Sequence, residues 1–189
     1  ATLQTEYLAF AIDLAHALIN RFYDPEGGGF WQSPAATPDL IIRVKDDYDG
    51  AEPSGNAVAT LALLKLAAIT GNEAFRTPAE ATLQLAADRL QSQPAGHAYL
   101  LGALDFWLDE PIRIVIAGSP AAQDTRALLH AAHGVYQPNK VILGNAGPVE
   151  PFARTLTAEA GATAYVCRGQ SCQLPTNDPK LLAQHLQPA

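Results

Sequence analysis

From Gly55 to Thr70 the chain reads Gly-Asn-Ala-Val-Ala-Thr-Leu-Ala-Leu-Leu-Lys-Leu-Ala-Ala-Ile-Thr, and Lys65 is its one charged residue. A helix that is apolar on nearly every side must be covered on nearly every side. Ser54 is a good N-cap for it. Gly71-Asn72 supplies the residue types that tolerate a left-handed C-terminal cap. A chain built around such a helix has to be layered, with other elements stacked around an inner one.

The neighbouring segments supply those layers. Leu3, Tyr7, Phe10, Leu14, Leu18 and Phe22 recur at steps of four and three, the stripe of an α-helix, and Leu8, Ile12 and Ile19 leave it only a narrow polar side. This helix stops at Asp24-Pro25, and Gly27-Gly28-Gly29 predicts a tight turn. Phe30-Trp31 and Leu40–Val44 read as short extended pieces. Pro78 is expected to open a third helix reaching about Gln91, with Leu83, Ala86, Ala87 and Leu90 on its dry side. A fourth, strongly apolar helix follows Pro94, from about Ala95 to Leu108. All-round apolar helices alternating with one-sided ones indicate inner and outer members of a helical assembly.

At Glu110-Pro111 the pattern changes. Ile112–Ala117 is a β-branched run with the look of a buried strand. A helix from about Ala121 to His133 and a second strand at Lys140–Leu143 complete a β-α-β unit, whose parallel pairing needs that helical crossover. A helix around Pro151–Glu159, a strand at Thr163–Cys167 and a last helix at Asp178–Gln187 are expected after it. The fold class is therefore mainly α with a C-terminal α/β unit, in two domains, 1–110 and 111–189.

Hydrophobic residues make up 48% of the sequence and charged residues 16%. That composition belongs to a folded chain, with so little charge that some surface is expected to be covered by a partner. The 19 acids and 12 bases give a net charge of −7 without a basic cluster, which argues against a nucleic-acid partner. The longest apolar run, Ala57–Ala68, is too short and too interrupted to span a bilayer, so no membrane partner is expected. The start lacks the basic residues of an export leader, which points to the cytoplasm. With no Met and a helical pattern beginning at once, the sequence reads as a processed or excised piece of a longer chain. Cys167 and Cys172 are then expected to be reduced. They read as two buried hydrophobes, as a thiol pair, or as half of a metal site.

Chemistry is most concentrated in the polar stretch before the apolar helix. Asp46, Asp47, Asp49 and Glu52 crowd together beside Lys45, Tyr48, Ser54 and Asn56. Carboxylates this close repel, which can raise one pKa and set an acid beside a base. The plainer reading is a solvated loop with a Ser cap and an Asp turn. Phe30 and Trp31, next to the glycines, suit either stacking on a sugar ring or filling the core. No metal set or cofactor motif is recognisable, and no cofactor is expected.

The run Lys45-Asp46-Asp47-Tyr48-Asp49-Gly50-Ala51-Glu52-Pro53-Ser54-Gly55-Asn56-Ala57 resembles a signature of the thioredoxin-domain-containing family related to spermatogenesis-associated protein 20. The tail Thr163-Ala164-Tyr165-Val166-Cys167, with Cys172-Gln173-Leu174-Pro175 and Asp178-Pro179, resembles the end of the same family. Asp24–Phe30 also fits, so the likeness covers essentially the whole chain. It implies a partial (α/α)6 toroid of the six-hairpin glycosidase type, the fold also of sugar 2-epimerases, without the family's thioredoxin-like domain or early hairpins. By that analogy the acidic loop lines the mouth of the toroid. Asp49 and Glu52 become acid–base candidates, and Trp31, Lys45, Asp46, Tyr48, Ser54 and Asn56 contacts to a sugar-like small molecule. The same segment would alternatively lock the toroid loops together through hydrogen bonds.

The expected function is then a toroid segment with a carbohydrate-type pocket and no turnover of its own. The competing class is an interaction module that homodimerises or completes a toroid with a missing N-terminal half. Thiol redox through Cys167 and Cys172 is the third.

Overall fold

A computed structural model describes residues 2–35, 37, 40–158 and 160–187. The chain forms two compact units, one of residues 10–67 and 72–108, the other of residues 1–9, 68–71 and 109–189.

The first unit is helical. Helix α1 spans Thr5–Phe22, α2 Gly55–Thr70, α3 Glu73–Ser92 and α4 Ala98–Leu108, the last entered through a 3-10 turn at Pro94–His97. The apolar α2 buries Ala57, Ala59, Leu63, Leu64 and Ala67, although Val58 stays 44% exposed. Phe75, Ala79, Leu83, Ala86 and Leu90 of α3 and Leu100, Ala103 and Phe106 of α4 are buried in the same unit. These helices are held by burial of their apolar faces rather than by propensity alone.

Pro78 does not open α3. The helix begins at Glu73 because Asn72, extended in backbone, accepts the amide of Ala74 on its side chain at 3.0 Å. Gly71 at φ +69° ends α2 in the left-handed region, so one glycine stops a helix and the next residue caps another. The extended pieces at Phe30-Trp31 and Leu40–Val44 do not form named strands. They are joined by the amide of Gln32 donating to the carbonyl of Val44 at 2.9 Å, and Phe30 makes an isolated bridge to Tyr23.

The second unit is a four-stranded mixed sheet with two helices. Strand β1 spans Ile112–Ala117, β2 Lys140–Gly144, β3 Thr163–Arg168 and β4 Ser171–Cys172, in spatial order β2-β1-β3-β4. Helix α5, Gln123–Gly134, carries the crossover that makes β1 and β2 parallel, while β3 runs antiparallel to β1. Ile112, Ile114 and Ile116 alternate onto one face and pack with Ala164 and Val166 of β3, Leu128 and Ala132 of α5, and Leu182 of α6, Pro179–His185. Asp178 caps α6, its carboxylate accepting the amide of Lys180 at 2.8 Å.

Two expectations fail in this unit. The helix foreseen at Pro151–Glu159 is only a 3-10 turn at Ala153–Thr155 (residue 159 lies outside the described residues). Thr155 turns its hydroxyl back onto the carbonyl of Phe152, and the Asn145 side chain takes the carbonyl of Leu156, so the backbone is drawn out of a helical course. The cysteines are neither reduced nor both buried: Cys167 and Cys172 form a disulfide. The β3–β4 register sets them directly opposite each other on one side of the hairpin, which brings the sulfurs together.

Candidate functional site

Everything in the acidic segment is organised from the start of α2. The Ser54 hydroxyl accepts the amide of Ala57 at 3.2 Å, the local cap that starts the helix. Two residues on, within the first turn, Asn56 is 4% exposed and fully engaged. Its Oδ1 accepts the amide of Phe30 at 2.7 Å, and its Nδ2 donates to the carbonyls of Phe30 at 2.9 Å and Asp46 at 2.7 Å. A single side chain thus supplies backbone partners to the buried Phe30 and to the half-buried loop at Asp46.

Asp49 is engaged just as fully. One carboxylate oxygen accepts the amide of Ser54 at 2.8 Å, the other the amides of Tyr99 at 2.8 Å and Leu100 at 3.1 Å. Its own amide donates to the carbonyl of Gly96 at 2.8 Å. Asp49 therefore caps the opening turn of α4, where an anion is favoured by the free amides. Tyr48 is exposed, its ring resting on Gly96 so closely that a Cβ there would lie 2.9 Å away. Asp46 closes a small turn onto the amide of Tyr48, Asp47 pairs with Arg89 of α3, and Glu52 is exposed.

The second cluster lies around Trp31. Lys45 donates to Asp24 at 2.7 Å and to the carbonyl of Gly28, and its ammonium lies 4.4 Å from the centre of the Trp31 ring. Arg43 lies over the same ring at 4.7 Å. Trp31 is thus a cation–π partner within the chain. The Lys45 hydrogen bond, followed by the backbone amides of Gly27 and Glu26, holds the Asp24 carboxyl below its usual range. Gly28 and Gly29 take φ of +70° and +75°, and a Cβ on Gly28 would meet the carbonyl of Ala81 at 2.8 Å. The three-glycine run is a turn that has to lie flat against α3.

Lys45, Asp47 and Asn56 join Arg89, Thr82 and Leu100 around a cavity of about 130 Å³. Of the sequence-chosen site residues the structure brings Lys45 and Asn56 to it, while Trp31, Asp46, Tyr48, Asp49, Glu52 and Ser54 do not line it. Asp24, Arg43, Arg89 and Gly96 were not singled out as site residues. Only Asp24 carried a local signal, an Asp before Pro and glycines, where its side chain accepts the amide of Glu26 at 3.1 Å. The α/β unit has a separate apolar cavity of about 310 Å³ whose lining includes Leu3, Leu8, Ile69, Leu143 and Val149. Among the described residues no group of His, Cys, Asp or Glu is arranged to hold a metal ion, and no helix is long and apolar enough to cross a membrane.

The described residues thus form a helical unit whose loops are clasped by Asn56 and Asp49, and a small mixed α/β unit. The chain is similar to spermatogenesis-associated protein 20: it is 36% identical to the proteins of Mus musculus and Homo sapiens, over 97% and 100% of its own length. An uncharacterised protein of Caenorhabditis elegans is 26% identical over 90% of the chain. The chain spans about a quarter of the length of the curated relatives it matches, 25% for the mouse and human proteins. No protein-family model matches it.

Proposed function

We propose that this chain is a helical assembly module without turnover of its own. In this reading the Lys45–Ala57 segment locks loops together, and the outer face of α1 receives further helices. The observation that carries it is on α1, where Phe10 and Leu14, four residues apart, are 62% and 54% exposed. A stripe of large apolar side chains at helical spacing is a surface that water disfavours and a partner helix fits. In a protein of the relatives' length the cover would be other helices of the same chain, completing a toroid of the six-hairpin type. In isolation the cover is a second copy, so the chain forms a homodimer. Fluorescence of a hydrophobic dye tests the face: the variant Phe10→Asp should bind less dye than the native chain under dissociating dilution. Equal, negligible binding by both would reject it.

A second reading rests on the cavity of about 130 Å³ bordered by Lys45, Asp47, Asn56 and Arg89, whose polar side chains can hydrogen-bond part of a sugar-like small molecule. Of the sequence-chosen residues only Lys45 and Asn56 would then be contacts inside it; the acid–base candidates Asp49 and Glu52, with Trp31, Asp46, Tyr48 and Ser54, lie outside its lining. The three backbone amides on Asp49 favour the locking role over that one. Calorimetric titration with monosaccharides decides between them, because saturable binding lost in Lys45→Met would promote the sugar site.

A further inference from the structure

We propose that Cys167 and Cys172 form a reversible dithiol–disulfide site that exchanges two electrons with an external dithiol, entered through Cys172. The proposal involves no residue of the helical unit and stands apart from the assembly reading.

The two half-cystines differ in access. Cys172 is exposed on the two-residue strand β4, whereas Cys167 is 1% exposed within β3. An incoming thiolate therefore meets Cys172 first, since access decides which sulfur is attacked. Cys167 is the better leaving group, because it stands directly opposite Arg113 in the β1–β3 register. A cation on the same face as a cysteine favours its thiolate. That guanidinium also pairs with Glu150 at 2.6 Å, which moderates its field, and donates to the carbonyl of Gly169 in the turn that the disulfide encloses.

The hairpin does not depend on the sulfur bridge alone. Gln173 donates to the carbonyl of Val166 at 2.9 Å, Arg168 pairs with Asp109 at 3.3 Å, and Arg113 grips the turn. Opening the disulfide leaves these bonds in place, so the two sulfurs remain close enough to rejoin.

In the forward step, one thiolate of the dithiol attacks Sγ of Cys172 and forms a mixed disulfide. The Cys167–Cys172 bond breaks, and its electron pair passes to Sγ of Cys167, which takes a proton from solvent. The second thiolate of the dithiol attacks its own sulfur in the mixed disulfide and releases Cys172 as a thiolate, which is then protonated. The dithiol ends as a disulfide and the protein with two thiols. The reverse sequence oxidises the pair.

The native chain should be equilibrated in buffers of reduced and oxidised dithiothreitol without denaturant, then alkylated and weighed intact. The expected result is a single transition from no alkylated cysteines to two, with the circular dichroism unchanged and full recovery on reoxidation. A disulfide that is reduced only in denaturant, or whose reduction unfolds the sheet, overturns the proposal. Entry at Cys172 is read from single variants in oxidised glutathione. Cys167→Ser, which keeps the exposed thiol, should be glutathionylated at least about tenfold faster than Cys172→Ser. Equal rates, or the reverse order, contradict that assignment.

Discussion

The carboxamide of Asn56 pairs with both backbone groups of Phe30, accepting its amide at 2.7 Å and donating to its carbonyl at 2.9 Å. The pairing spans 26 residues and joins the turn after α1 to the first turn of α2, and the same Nδ2 reaches Asp46 as well. A polar side chain among the least exposed of the helical unit is therefore a structural fastener.

Removing that fastener strands buried backbone groups. Asn56→Ala should cost about 3 kcal/mol in urea denaturation, since each unpaired buried group loses its partner without regaining water. Asn56→Asp should cost at least as much, because a carboxylate would face the two carbonyls that Nδ2 now serves. A loss under about 1 kcal/mol for both would remove Asn56 from the lock.

Asp49 and Glu52, adjacent as candidates in the sequence, should part in experiment. Asp49→Asn turns one amide group toward backbone donors that now meet a carboxylate oxygen, and should cost about 1–3 kcal/mol. Glu52→Gln, at an exposed position, should fall within about 0.5 kcal/mol of the native chain. Equal effects on stability would count against the capping role of Asp49.

Acid should weaken the helical unit through Asp24. Lys45 lowers its folded-state pKa below the unfolded value, so the contribution is complete above about pH 4 and is lost as pH falls through the folded value. Lys45→Met removes the largest cause, and the urea midpoint of that variant should fall less steeply over the same range. Asp124 of the α/β unit is lowered in the same direction by the amides of Ala162 and Thr125. The variant Asp124→Asn therefore separates the two sources of the acid loss.

The helices and strands were largely legible because their signals are local: the all-apolar run of α2, the stripe of α1 and the β-branched run of β1. Starts and stops were less so. Asn72 looked like the end of α2 and proved to be the cap of α3, since Gly71 alone supplies the left-handed turn. The run after Pro151 has helix-forming residues, yet side-chain bonds from Thr155 and Asn145 claim its carbonyls. The residues of the acidic loop are legible in the sequence, but their partners are not. Asp49 is paired with amides 50 and 51 positions away and Lys45 with a carboxylate 21 away, and no spacing rule reports such contacts. The disulfide is not legible in the spacing, because it depends on the β3–β4 register that sets Cys167 opposite Cys172, which no local signal reports.

Light scattering across a dilution series, on the native chain and on Phe10→Asp, tests the proposed helical face most directly. If the exposed stripe of α1 is an interface, the native chain is a dimer that dissociates on dilution, and Phe10→Asp is a monomer of unchanged stability. A native chain that stays monomeric at every concentration, with no dye binding, would contradict the assembly role.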